Sequence, residues 1–281
     1  MSRILTTPAE LAAAIETGRY PDGGPVRVLD VRWRLDRPDG RPEHLAGHVP
    51  GARYVDLESE LAAHGAPTDG RHPLPTLEAL QESVRAWGVD DGDTVVVYDD
   101  LQNLSSARAW WLLRAAGLAD VRLLDGALRA WTEAGHPLEQ GEPAPAAPGS
   151  ATLAWGGLPT LRLEDVAVLA REGLVLDARA GERYRGEVEP VDPRAGHIPG
   201  AVSAPTTGNV GPDGRFLAPE ALRARFAALG AADAVGVYCG SGVTAAHQAV
   251  ALTLAGYEPL LFPGSWSQWA NHPELPVATG A

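Results

Sequence analysis

Apolar positions along this chain fall into two alternating patterns. Short runs rich in Val and Leu, at 26–31, 95–98, 121–124, 174–176, 234–238 and 259–262, are bounded by Gly, Pro or Asp. Such runs predict strands buried on both sides. Between them, stretches at 76–87, 105–116, 161–170, 219–229 and 243–255 space their apolar residues every three to four positions, which predicts helices. Pro8-Ala9-Glu10 and Pro219-Glu220 read as helix starts, with proline in the first turn where no amide hydrogen is needed. Strand–helix alternation predicts an α/β fold, a mostly parallel sheet with helices on both faces. Ligands in such folds bind beyond the carboxyl ends of the strands.

The pattern occurs twice. Val28-Leu29-Asp30-Val31-Arg32 returns as Val175-Leu176-Asp177-Ala178-Arg179, and Gly47-His48-Val49-Pro50-Gly51-Ala52 as Gly196-His197-Ile198-Pro199-Gly200-Ala201. Val95-Val96-Val97-Tyr98-Asp99 then returns as Val235-Gly236-Val237-Tyr238-Cys239, and Asp125-Gly126-Ala127-Leu128-Arg129-Ala130-Trp131 as Pro263-Gly264-Ser265-Trp266-Ser267-Gln268-Trp269. Four matches in one order predict two tandem domains. The aperiodic Pro/Ala/Gly-rich stretch 139–150 reads as a linker, which puts the domains at 1–145 and 146–281.

Cys239, the single cysteine, ends the predicted strand 234–238 and opens the loop Cys239-Gly240-Ser241-Gly242-Val243-Thr244 before a helix. The amides of such a turn, with the positive end of the helix, favour an anion there, so Cys239 reads as a nucleophile rather than as a buried structural thiol. A cysteine phosphatase would need Cys-x5-Arg, and Ala245 stands at that arginine position. In the first repeat Asp99 stands in place of the cysteine, followed by Asp100-Leu101-Gln102-Asn103. An aspartate cannot carry sulfur and would repel an anion, so the first domain is expected to be inactive and the second catalytic. His48 and His197 occur in both repeats, including the one without a thiol, and are therefore expected to support the fold.

Composition narrows the function. With 281 residues and 45% hydrophobic content the chain can bury two cores, and 36 Asp+Glu against 23 Lys+Arg leave a formal charge of −13. That charge argues against nucleic acid or an anionic membrane as partner, and it makes a local arginine cluster informative. No apolar run is long enough to span a bilayer, and no secretory signal is evident at the N-terminus. Together with the single thiol, this predicts a cytoplasmic protein with no disulfide and no metal cluster of thiolates.

The repeats and the Cys-Gly-Ser-Gly-Val-Thr loop resemble the rhodanese family of sulfurtransferases over essentially the whole chain. The resemblance implies that Cys239 takes sulfane sulfur from a donor as a persulfide and passes it to cyanide, a small thiol or a thioredoxin-like protein, with no cofactor. The loop resembles the 3-mercaptopyruvate branch, since the thiosulfate branch usually carries basic residues where Gly240 and Ser241 stand. Thiosulfate remains the alternative donor, and a non-enzymatic sulfur carrier or protein-binding module the alternative of another class. The family pattern Asp-x-Arg-x-x-x-Arg-[Tyr/Phe] implies that Arg183 binds the donor anion, while Asp177 and Arg179 read as a buried brace. The amides of Gly240, Gly242, Val243 and Thr244 are expected to hold the persulfide, and Ser241 to donate to the substrate carbonyl or to relay a proton to the leaving enolate. A second substrate arginine is expected at Arg185 or Arg194, within a stretch that departs from the family in length and composition. Glu58 and His72 match an acid and a histidine that face the active loop in the mercaptopyruvate branch, implying a relay across the domains.

Overall fold

The computed structural model describes residues 3–281. The chain forms two compact units, one of residues up to Ala62 with Pro75–Leu158 and Val210–Phe216, the other of Ala63–Leu74, Pro159–Asn209 and Leu217–Ala281. The stretch expected to be a linker has no helix or strand, but it is tied down. The amides of Gly149 and Ala151 bond to the carbonyls of Arg85 and Val89 in the first unit, and the chain leaves that unit only after Leu158.

The first unit holds strands β1 (Leu5–Thr6), β2 (Val26–Asp30), β3 (Arg53–Tyr54), β4 (Thr94–Tyr98) and β5 (Asp120–Leu124) in the order β1-β5-β4-β2-β3, all parallel. Its helices are α1 (Pro8–Thr17), α2 (Arg41–Ala46), α3 (Leu57–Glu60), α4 (Leu77–Ala86), α5 (Ser106–Ala115) and α6 (Ala127–Glu133). Helix α1 starts as its sequence requires: Thr7 caps the Glu10 amide and the Glu10 side chain answers to the Thr7 amide, just before Pro8. Leu11, Val28, Val49, Val96, Tyr98, Leu124 and Trp131 form the core.

In the second unit β6 (Val175–Asp177), β7 (Val202–Ser203), β8 (Ala234–Tyr238) and β9 (Glu258–Leu261) are ordered β7-β6-β8-β9, again all parallel. A parallel bridge from Thr160 to Leu261 lies on the free side of β9, as β1 lies beside β5. Helices α7 (Leu163–Glu172), α8 (Gly181–Tyr184), α9 (Pro219–Ala228), α10 (Thr244–Leu254) and α11 (Ser265–Ala270) complete it. Val166, Val175, Ile198, Tyr238, Phe262, Trp266 and Trp269 form its core. Four of these, Val175, Ile198, Tyr238 and Trp269, stand where the first repeat has Val28, Val49, Tyr98 and Trp131, so the duplication extends to the packing. Among the described residues, no helix is long and apolar enough to cross a membrane.

The histidines shared by the repeats serve the fold. His48 Nδ1 donates to the His44 carbonyl at 2.8 Å and its ring stacks on His44, while His197 Nδ1 donates to the Tyr184 carbonyl at 2.8 Å and stacks on Tyr184. The Asp-x-Arg pairs are buried braces. Arg32 Nη2 lies 2.6 Å from Asp30 and Arg179 Nη2 lies 2.6 Å from Asp177, and each guanidinium also donates to a glycine carbonyl, of Gly47 and Gly196. Arg179 further lies over the Trp266 ring at 4.6 Å, which locks α11 to the strand ends.

Candidate active site

Strand β8 delivers Cys239 at its carboxyl end, and α10 begins at Thr244. The loop between them is pinned from below by α11. The Cys239 amide donates to Ser265 Oγ at 3.1 Å, the Trp266 amide to the Cys239 carbonyl at 3.0 Å and the Ser267 amide to the Gly240 carbonyl at 2.8 Å. With its backbone groups spent on α11, the turn keeps its shape without help from the thiol. Gly242 has φ of +81°, a left-handed conformation natural to glycine, and its N–H points back at Cys239 Sγ, 3.2 Å away. Val243 is buried and caps α10, and Thr244 opens that helix, so the sulfur sits at an N-terminal helix end that favours negative charge. Cys239 is only 1% exposed.

Ser241 lies two residues further along the loop. Its Oγ lies 2.7 Å from His72 Nδ1, and both residues are nearly buried, at 7% and 3% exposure. His72 comes from the segment Ala63–Leu74, which packs with the second unit although it lies within the first repeat of the sequence. The Arg71 amide donates to Ser267 Oγ at 3.0 Å and fixes that segment against α11. Glu58 lies in the first unit, on α3, where its Oε1 accepts from Trp33 Nε1 at 2.7 Å.

Two guanidinium groups flank the loop. A β-carbon built on Gly240 would stand 3.2 Å from Arg71 Nη2 and 3.4 Å from Arg183 Nη1. Arg183 extends from α8, as its motif position suggested. The second guanidinium beside Gly240 is that of Arg71, whereas Arg185 and Arg194 have other partners. Arg185 pairs with Glu187 in solvent, at 2.7 Å. Arg194 gives its guanidinium to the carbonyls of Trp269, Ala270, His272 and Leu275, closing the C-terminal end of α11. Those four acceptors leave Arg194 a structural cap. Arg71 takes the place beside the loop. Its sequence signal was its position next to His72, in Gly70-Arg71-His72-Pro73.

Carboxylates stand behind these arginines. Arg183 Nη2 lies 2.6 Å from Glu189 and 3.3 Å from Asp192, Arg179 Nη1 lies 3.3 Å from Glu189, and Arg71 Nη1 bonds to Asp192 Oδ1. Burial raises the Glu189 carboxyl, but the Arg183 hydrogen bond and the Asp192 amide outweigh it and hold it below the usual range. For Asp192 burial wins over Arg71 and Arg183, and its carboxyl is pushed up.

The first unit repeats the turn with different chemistry. Asp99, fully buried at the end of β4, accepts from the amides of Leu101, Asn103, Ser105 and Ser106 at 2.7–2.9 Å, and from Ser105 Oγ at 3.0 Å. Burial lifts its carboxyl above the usual range against these donors. Gln102 and Asn103 take positive φ of 59° and 65° to aim the amides inward.

A turn that gathers amides on an anion, with a thiol in one copy and a carboxylate in the other, matches one protein family in both halves. The model of the rhodanese-like domain fits residues 7–134 and again 162–272. The chain belongs to the rhodanese family. It is a sulfurtransferase, taking sulfur from a donor and giving it to an acceptor. SseB of Mycobacterium tuberculosis, by name a thiosulfate sulfurtransferase, is 49% identical over 99% of this chain and 98% of its own. A Pseudomonas aeruginosa protein named as a 3-mercaptopyruvate sulfurtransferase is 47% identical over 98% of both chains. The crystal structure of Escherichia coli SseA, with the rhodanese fold of the 3-mercaptopyruvate enzymes, superposes with a TM-score of 0.81 at 32% identity, covering 94% of this chain and 99% of SseA.

Proposed function

We propose that this sulfurtransferase uses 3-mercaptopyruvate as donor, with Cys239 in the second unit as the sulfur carrier and the first unit catalytically inert. The observation that carries the reading is the Ser241–His72 hydrogen bond of 2.7 Å, two residues after the thiol. The two donors leave differently. Thiosulfate departs as sulfite, which needs no proton. Mercaptopyruvate departs as an enolate, which must be protonated on carbon. A buried hydroxyl–imidazole pair beside the sulfur is machinery for the second case only.

In this reading the Cys239 thiolate attacks the donor sulfur and forms an S–S bond. The carbon–sulfur bond breaks, and its electron pair goes to the pyruvate enolate. The proton of the donor thiol passes through Ser241 and His72 to the enolate carbon, which leaves pyruvate and a Cys239 persulfide anion. The amides of the loop 240–244, with Gly242 N–H already on Sγ, hold the charged outer sulfur. An acceptor thiolate, whether a small thiol or a thioredoxin-like protein, or cyanide, then attacks that sulfur and returns the Cys239 thiolate. Arg183 would hold the donor carboxylate through its fork. The acidic chain, at −13, supports a small anionic donor guided by local arginines rather than nucleic acid or an anionic membrane. Its lone thiol supports a reducing, cytoplasmic setting.

A thiosulfate enzyme is the second reading. It is favoured by the two guanidinium groups beside Gly240 and by the name of the M. tuberculosis relative. Steady-state kcat/KM with each donor, under a common acceptor, separates the two. Preference for mercaptopyruvate by tenfold or more (about 1.4 kcal/mol) is expected, and preference for thiosulfate would overturn the first reading.

A further inference from the structure

The charges around Gly240 form a closed set. Arg71, Arg179 and Arg183 face Asp177, Glu189 and Asp192, three guanidinium groups against three carboxylates. The roles within the set differ. Arg179 and Asp177 brace the fold. Glu189 is committed to its own turn, where its Oε1 accepts the amides of Val191 and Asp192 at 3.2 and 3.1 Å. Among the described residues Asp192 alone joins the two arginines beside the loop, with Oδ1 on Arg71 and Oδ2 on Arg183. The sides of the guanidinium groups turned toward Gly240 carry Arg71 Nη2 and Arg183 Nη1. Arg71 Nε is buried and has no hydrogen-bond partner among the described residues. Donors therefore remain for an anion at the loop, while their charge is cancelled from behind.

We propose that Arg71 and Arg183 form a two-arginine clamp for the donor anion, and that Asp192, by bridging them, sets its preference for a monoanion over a dianion. The physical basis is Coulombic. An anion seated on the clamp is repelled by the Asp192 carboxylate in proportion to its own charge, so a dianion such as thiosulfate pays twice what a carboxylate pays. The arginines supply attraction and orientation to both, and the carboxylate behind them discriminates. The proposal rests on the reading of Cys239 as the sulfur-carrying nucleophile. It does not rest on which donor the unaltered protein prefers.

The test compares the wild type with Asp192→Asn, which keeps shape and removes charge, and Asp192→Glu, which keeps charge. For each, kcat/KM is measured with thiosulfate and with mercaptopyruvate, and inhibition is measured with inorganic sulfate as an inert dianion and acetate as an inert monoanion. In Asp192→Asn the thiosulfate-to-mercaptopyruvate ratio should rise about tenfold, equal to about 1.4 kcal/mol, and sulfate should inhibit at correspondingly lower concentration than acetate. Asp192→Glu should keep the wild-type ratio. A ratio unchanged within about twofold in Asp192→Asn, or the same shift in Asp192→Glu, overturns the proposal. Should Asp192→Asn fail to fold, Asp192→Ser removes the same charge at the same place and must move the ratio in the same direction. Arg71→Gln should raise KM for both donors and leave persulfide formation at saturating donor, and an unchanged KM removes Arg71 from the clamp. A wild type that prefers thiosulfate would overturn the donor reading above and leave the ratio test standing.

Discussion

Replacing Ser241 by alanine removes one atom, the Oγ that lies 2.7 Å from His72 Nδ1 in a nearly buried setting. Two consequences can be sized separately. For stability, the imidazole loses this hydrogen bond where water has little access, a cost of about 1–3 kcal/mol. On a unit of this size that lowers Tm by roughly 2–12 °C. For catalysis, the enolate loses its proton path. General acid help of this kind contributes about 10²–10⁴-fold, or roughly 2.7–5.5 kcal/mol of barrier. Ser241→Ala should therefore stay folded and lose kcat with mercaptopyruvate by about a hundredfold or more. With thiosulfate, whose leaving group needs no proton, kcat should fall far less. The assay is pyruvate release under saturating donor and a fixed thiol acceptor, with urea unfolding in parallel. His72→Gln should reproduce the loss, and the double variant should be little worse than either single one, because the pair acts as one unit. A kcat within about threefold of wild type for mercaptopyruvate, or equal losses with both donors, would refute the relay.

Cys239→Ser should abolish sulfur transfer while leaving the unfolding curve nearly unchanged, since oxygen cannot carry the persulfide and the change in size is small; mass spectrometry should find no added sulfur on the variant after donor treatment. Arg183→Ala should lower kcat/KM about ten- to a hundredfold, the loss of a charge-assisted contact worth roughly 1.5–3 kcal/mol, and unchanged kinetics with both donors would return Arg183 to a bracing role. In the first unit, hydrogen bonds from His44 and Arg32 outweigh burial and hold the Asp30 carboxyl below its reference of 3.8. A depressed folded pKa means stability that is fully present above that reference and lost as pH falls through the folded value. Asp30→Asn should then cost about 3–5 kcal/mol at neutral pH, as breaking a buried ion pair does, and should flatten the loss of stability below about pH 4 in urea titrations.

The strands and helices with strong periodicity could be read from the chain, because burial on both faces leaves an unbroken apolar run. Ala234–Tyr238 is such a strand, and its end located the thiol. The two-residue strands Arg53–Tyr54 and Val202–Ser203 left no comparable trace, being edge strands too short to show a pattern. The helix Ser265–Ala270 was hidden for another reason: its buried face is built from Trp266 and Trp269, and its serine hydroxyls accept the amides of Cys239 and Arg71. At the site, Cys239, Ser241 and Arg183 lie together because motif spacing reports what one short loop and one short helix can reach. Arg71 was missed because its proximity to Gly240 depends on residues 63–74 packing with the other repeat, which no local pattern encodes. Arg194 was a candidate by position only, and its four carbonyl acceptors, 75–81 residues away in sequence, are set by the C-terminal end of a helix.

The Asp99 turn bears on how the two halves divide their labour. Its carboxylate is attached to the cradle it fills and already accepts the four amides a bound anion would need. The first half is thus permanently saturated by its own side chain, and a donor meeting either turn has only one where it can settle. Sulfur loading should end at one atom per chain however much donor is supplied. That stoichiometry follows from the single thiol, Cys239, while the tethered Asp99 carboxylate keeps the other turn from holding donor that it could not use.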